Sequence, residues 1–272
     1  MSQELVPVSS TTPQLPFDII DYIFSFLKSH PNALFACSKA HPILSHIVER
    51  YRFHHIIIAP GPTDFTYSFR VSDLLRYLSE APRIVNYVAV LQVEFRYRQD
   101  AYLEEITSLL PMFPMLECFM FPARRYWTCS ALLWKDLPQS FRTAVETHCL
   151  HLPTMREVHV GNVVFPLSTL DNHANIDYLS LSRSPETERQ DLETAHPQIK
   201  SLALQGFEHE DSEVFRTWAR KHILELQTLK YDFSCHEIML AVFGISSNTL
   251  KNLYLSLTRE GPGELLSHLA YH

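Results

Sequence analysis

Glycine is scarce in this chain, with 6 in 272 residues, where average usage of about 7% would supply roughly 19. No stretch matches G-x-x-x-x-G-K-[ST], G-x-G-x-x-G or G-x-S-x-G. Phosphate cradles and nucleophile turns need glycine where the backbone approaches a ligand closely or takes φ > 0. The familiar nucleotide enzymes and serine hydrolases are therefore disfavoured. Cysteine is sparse and scattered: Cys37, Cys118, Cys129, Cys149 and Cys235 are odd in number and form no C-x-x-C, so no disulfide framework is written in them. The start, MSQELVPVSSTTPQ, lacks the basic and apolar regions of a secretory signal. No uncharged apolar run approaches the ~18–20 residues of a membrane span. A reduced location, cytoplasm and/or nucleus, with no membrane partner, is expected.

Excess positive charge is missing too. The formal net charge is −7, which argues against a polyanion partner, so no nucleic acid is expected. The charge is uneven: residues 1–60 are neutral, whereas residues 186–213 hold eight acids against Arg189 and Lys200. One reading is a solvated helix face and a connecting loop. The other is a target-binding acidic patch, Glu208, Glu210, Asp211 and Glu213, that favours a basic protein.

Hydrophobic residues make up 46% and charged residues 19%, enough for a sizeable core. After a polar tail over residues 1–12, LPFDIIDYIFSFL (15–27) places Ile19, Ile20, Ile23, Phe24 and Leu27 at helical spacing behind Pro16. Pro31 and Pro42 can open two further short helices. Three such helices cannot bury all their apolar faces against one another, so some of that surface must meet the rest of the chain or a partner.

From residue 54 the texture changes to short period-two segments: VAVLQVEF, MLECFMF, MREVHV, IDYLSLS, IKSLALQGF, LQTLKYDF and LKNLYLSL. Helix-like stretches lie between them. Leu91, Phe119, Val158, Leu179, Leu202, Leu229 and Leu253 serve as strand anchors, at steps of 28, 39, 21, 23, 27 and 24 residues. That cadence fits an irregular leucine-rich-repeat-like solenoid over 54–272, with one strand and one helix or turn per repeat. The alternative is an open α/β sheet.

The Leu15-Pro16 pair, Ile19, Ile20 and the Ile23-Phe24-Ser25-Phe26-Leu27 run resemble the opening helix of the F-box, the helical module that docks on the Skp adaptor of cullin–RING ubiquitin ligases. Leu34, Ala36, Cys37 and Ser38 are similar to the second-helix segment of fungal F-box proteins. The tryptophan usual in the third helix is replaced by Leu44, and Ala40-His41-Pro42 stands for the usual Val-Cys-Arg. The resemblance covers about residues 13–53. It implies a three-helix F-box ahead of the repeats and Skp docking through Leu15, Pro16, Ile19, Ile20, Ile23 and Leu34. The expected function is that of a non-enzymatic substrate receptor of a Skp–cullin–F-box ligase, holding an unknown target protein on its repeats.

No cluster forces a catalytic or cofactor assignment. His148-Cys149-x-His151 is cramped for a metal, and Cys149 continues the apolar stripe of Phe141 and Val145. Cys235 and His236 are adjacent and do not face each other on a helix. Arg96-Tyr97-Arg98 and Arg124-Arg125-Tyr126-Trp127 mix cations with aromatics without a sustained basic face. No metal ligands and no cofactor are assigned. Two rivals stay open: a plain interaction scaffold that never meets Skp, and a hydrolase or transferase on an α/β sheet.

Overall fold

The computed structural model describes residues 15–28, 30–61, 68–94, 100–122, 132–161, 163–170, 173, 175–182, 198–206, 212–232 and 236–256. The chain divides into two compact units, Met1–Arg52 and Phe53–His272.

In the first unit each helix begins at a proline. Pro16, at φ −52° and ψ 143°, precedes α1 (Phe17–Leu27), and Pro31 and Pro42 start α2 (Pro31–Ala40) and α3 (Pro42–Arg52). Proline suits these places because the first turn has no intrahelical partner for its missing N–H. The core is small: Phe24, Leu34, Ile47 and Val48 are buried, with Ile20, Leu27, Cys37, Leu44 and Tyr51 packed on them. Leu44 thus fills part of this core. Tyr51 donates to the Asp21 carbonyl at 2.9 Å, and Arg50 pairs with the Asp21 carboxylate at 3.3 Å, tying α3 to α1.

The second unit is built on parallel strands: β1 (His55–Ile58), β2 (Ser68–Phe69), β3 (Val90–Val93), β4 (Cys118–Pro122), β6 (Glu157–Gly161), β8 (Tyr178–Leu181), β9 (Ser201–Leu204), β10 (Thr228–Asp232) and β11 (Asn252–Ser256). They form one nine-stranded sheet in the order β11-β10-β9-β8-β6-β4-β3-β1-β2. Two short strands, β5 (Leu132–Leu133) and β7 (Val163–Val164), pair separately. From β3 to β11 the order in space follows the order in sequence, while β2 lies on the outer side of β1, so the direction of growth reverses between β1 and β3. The register does not stagger: Ile56, Leu91, Phe119, Val158, Leu179, Leu202, Leu229 and Leu253 form one cross-strand row. All seven sequence anchors stand in it.

A repeated backbone contact sets that register. The carbonyls of His54, Ala89, Glu117, Arg156, Asp177, Lys200 and Gln227 each accept two consecutive N–H groups from the start of the next strand, at 2.8–3.0 Å. A carbonyl oxygen has two lone pairs, so one group satisfies both donors. At the far end of β9, Gly206 takes φ 63° and its N–H donates to the Asp232 carboxylate at 3.2 Å, a backbone shape that favours glycine.

Side chains alternate across the sheet. The anchor row from Ile56 to Leu229 and the row two residues on (Ile58, Val93, Phe121, Val160, Leu181, Leu204 and Tyr231) join a single core with helical residues, whereas Leu253 in the edge strand is exposed. These come in i, i+4 or i, i+3 pairs from α4 (Val71–Glu80), α5 (Asp100–Thr107), α6 (Gln139–Val145), α7 (Ser212–His222) and α8 (His236–Ser246). The pairs are Leu74/Leu78, Leu103/Ile106, Phe141/Val145, Phe215/Ala219 and Ile238/Val242, the spacing that puts two side chains on one helical face. Phe121, Phe141, Trp134 and Phe165 fill the core between β4 and β6, with Trp134 edge-on to Phe165 at 4.9 Å. The intervening rows face the other way. Ile57, Cys118, Met120 and Ala203 are buried there but do not belong to that core.

The protein is therefore α/β with a large, open parallel sheet and helices, which the open-sheet alternative accommodates. Among the described residues, no helix is long and apolar enough to cross a membrane.

Two predictions follow from this packing. Phe119→Ala removes a fully buried ring from the anchor row and lowers stability by about 3–5 kcal/mol in denaturant unfolding. Arg76→Ala, which among the described residues breaks an exposed pair with Asp73, changes it by less than about 0.5 kcal/mol. The second concerns pH. Burial, with the neighbouring His151 ring at 4.3 Å, pulls His173 down from 6.5 to about 4, against a hydrogen bond to the Thr169 backbone. The unfolded imidazole takes a proton near pH 6.5 while the folded one resists it until about pH 4. The contribution of His173 to stability is therefore full above pH 6.5 and is lost, by up to about 3 kcal/mol, as pH drops through that window. His173→Gln should flatten this slope in unfolding measured across pH.

Candidate functional site

Two surfaces carry unsatisfied chemistry, one in each unit. In the first, α1 has two apolar stripes. Ile20, Phe24 and Leu27, at i, i+4 and i+7, face the small core. Ile19, Ile23 and Phe26, at the same spacing, are exposed, together with Leu15, Phe17 and Tyr22. Of the eleven residues of α1 only Phe24 is buried. Phe35 of α2 and Ile43 of α3 are exposed as well. Tyr22 and Phe26 stack edge to face at 4.8 Å, which fixes part of the face in one shape.

The structure places the residues singled out from the sequence unequally. Leu15, Pro16, Ile19 and Ile23 are exposed. Ile20 is half-buried, and Leu34, at 1% exposure, lies within the core, so Leu34 supports the face from beneath. Phe17, Tyr22 and Phe26 are exposed neighbours outside the sequence-derived set. Their signal is the second stripe itself: a helix with two apolar stripes has more than one neighbour. Glu208, Glu210 and Asp211 lie outside the described residues, as does the side chain of Glu213. Cys129, Cys235 and both arginine–aromatic segments, residues 96–98 and 124–127, lie outside them too.

The second surface is the sheet face turned away from the core. Its central feature joins β4 and β6. Cys118 is the direct cross-strand partner of Glu157, and His159 follows Glu157 on the same face. Ligand atoms of the three lie within 4.8 Å of one another. His159 Nε2 is 3.5 Å from Glu157 Oε2, and the His159 side chain is only 7% exposed where that of Glu157 is 50%. The hydrogen bond from His159 holds the Glu157 carboxyl below its usual range, against the opposing effect of burial. Burial pushes the Cys118 thiol up, and the Glu157 charge adds to it. The Tyr178 ring lies 4.9 Å from His159. Beside it Met120, His159, Gly161, Ser180, Ser182 and Gln205 line a recess of about 10 Å³, roughly the room one water needs.

Elsewhere the histidine–cysteine run is dispersed. Cys149 is fully buried in the π-helical turn Glu146–Leu150, and His151 Nδ1 sits 2.6 Å from the Glu146 carbonyl.

No protein-family model matches the chain, and no curated protein matches it.

Because burial favours the protonated thiols, Cys118 and Cys149 resist alkylation at neutral pH in the native protein and react at normal rates once guanidinium unfolds it. Peptide mass spectrometry of briefly labelled samples measures both. Prompt native labelling of Cys118 would contradict its placement.

Proposed function

We propose that the chain is the substrate-receptor subunit of a Skp–cullin–F-box ubiquitin ligase, with the first unit docking on Skp and the second presenting its sheet to a target protein. The observation that carries this reading is the outer stripe of α1. A rigid helix exposing Ile19, Ile23 and Phe26 above a core of four buried residues has the anchors of a helix-in-groove contact. Exposed apolar side chains in such a contiguous set mark an interaction surface. The Leu15-Pro16 and Ile23-Phe24-Ser25 pattern points to Skp as the occupant.

For the second unit we propose a degenerate leucine-rich-repeat-like solenoid. Three features favour it over a doubly wound sheet. Growth runs one way over the seven strands from β3 to β11, with only the two-residue β2 on the other side of β1, whereas doubly wound sheets extend substantially in both directions from a switch point. The same two-amide contact recurs at seven strand starts. The core draws on one face of the sheet alone, while parallel α/β sheets are covered on both. The other face, with Gln92, Glu157, Tyr178, Thr228, Lys230 and Tyr254, would then meet the target. The part played in catalysis is positional: a bound target gains effective concentration near the conjugating enzyme, and no residue of this chain transfers ubiquitin. The place of action is the cytoplasm and/or nucleus.

The decisive experiment is co-purification of the full chain with the Skp adaptor under native conditions. Wild type should bind. Leu15→Ala/Pro16→Ala, and separately Ile19→Glu/Ile23→Glu, should weaken binding by about thirtyfold or more while the second unit stays folded by circular dichroism. A wild-type chain that does not bind Skp overturns the ligase reading and leaves a scaffold.

A further inference from the structure

We propose that Cys118, Glu157 and His159 form a zinc-binding site on the open face of the sheet, with a fourth position for water or for a side chain of a docked protein. The inference stands apart from the ligase reading and does not need it.

The geometry comes from the register. Glu157 and His159, at i and i+2 of β6, project from the same face, and Cys118 is level with Glu157 on β4. Two adjacent parallel strands thus hold three donors on a rigid frame. Their ligand atoms lie within 4.8 Å of one another. Tetrahedral zinc at its usual bond lengths needs donor separations of about 3.3–3.8 Å. The half-exposed Glu157 side chain can close the difference by changing rotamer, and the two buried donors form the fixed part of the site.

The donor chemistry selects the ion. One sulfur, one imidazole nitrogen and one carboxylate oxygen match zinc, which takes all three and has no geometric preference of its own. Calcium and magnesium require oxygen donors. A thiolate and a carboxylate balance the two charges of the ion, so the bound site is neutral and can sit half-buried at little electrostatic cost. Forming the S–Zn bond releases the thiol proton to solvent, and the other two donors contribute lone pairs.

A second observation points the same way. His159 is more than nine-tenths buried, yet its Nδ1 has no hydrogen-bond partner. A buried polar atom left unpaired costs about 1–3 kcal/mol, and such atoms call for an explanation. The Glu157–His159 pair uses one ring nitrogen only.

The test uses the full untagged chain, stripped with a chelator and titrated with zinc ion alone. Wild type should bind one equivalent that survives gel filtration. Cobalt in its place should give a sulfur-to-metal charge-transfer band in the near ultraviolet. Cys118→Ser should lose that band and the bound equivalent, and His159→Asn should lose the equivalent. Glu157→Gln should weaken binding by roughly tenfold to a hundredfold. Circular dichroism in chelator checks the fold of each variant. Should the buried substitutions unfold the chain, the exposed Glu157→Gln and the wild-type cobalt band decide the matter. A wild-type chain that retains no zinc, a cobalt spectrum without the sulfur band, or variants that bind as wild type does would each overturn the site.

Discussion

One backbone contact governs the larger unit: a carbonyl just ahead of each strand that captures the first two amides of the next. Repeated from His54 to Gln227, it leaves no freedom of stagger. In a strand, a slip of one residue turns every side chain to the opposite face. Here such a slip would expose a buried apolar side chain in each of β1, β3, β4, β6, β8, β9 and β10, at roughly 1.5–3 kcal/mol apiece. The hydrophobic rows and the backbone contact therefore enforce the same alignment. Because the alignment is common to all strands, it also decides which polar side chains become neighbours on the open face. The meeting of Cys118, Glu157 and His159 is a consequence of that constraint.

The smaller unit works on a different principle. Its four buried side chains are few for a module of three helices, and small cores give marginal stability. Yet α1 turns five apolar or aromatic residues outward against three toward the core. An exposed stripe of this kind is a liability unless a partner covers it. The inner stripe, the Asp21–Arg50 pair and the Asp21–Tyr51 hydrogen bond hold the helix in place, so the outer stripe is presented already ordered. Preorganised anchors lose less entropy on binding than anchors on a flexible segment. This supports a docking role, with Skp as the partner implied by the resemblance.

Much of the fold was legible because period two and period 3.6 leave different marks. The anchors Leu91 to Leu253 could be picked from alternation alone, and they stand in a single row. The prolines at 16, 31 and 42 marked helix starts for a local steric reason. The inner and outer stripes of α1 were not separable, since Ile19 and Ile20 look alike until the core is known. Leu34 was read with the docking residues although it belongs beneath them, because apolar character does not reveal which neighbour is met. The Cys118–Glu157–His159 group was missed for a related reason. Cys118 and Glu157 are 39 residues apart along the chain, the same step as from Phe119 to Val158. Setting those two anchors side by side places Cys118 against Glu157, so the signal was present once strand order was known. Local periodicity does not supply that order.

The central claim is the common register, and cross-strand disulfide trapping tests it most directly. Ser180 and Ala203 are direct partners on β8 and β9, both buried on the face turned away from the main core. Parallel neighbours at this level lie about 4.8 Å apart, within the Cα separation that a disulfide spans. A slip of two residues keeps the face but lengthens the separation to about 8 Å, beyond that reach. The account predicts that Ser180→Cys/Ala203→Cys oxidises readily, while Ser180→Cys/Ser201→Cys and Ser180→Cys/Gln205→Cys do not. Preferential closure of either shifted pair would contradict the register and the open face built on it.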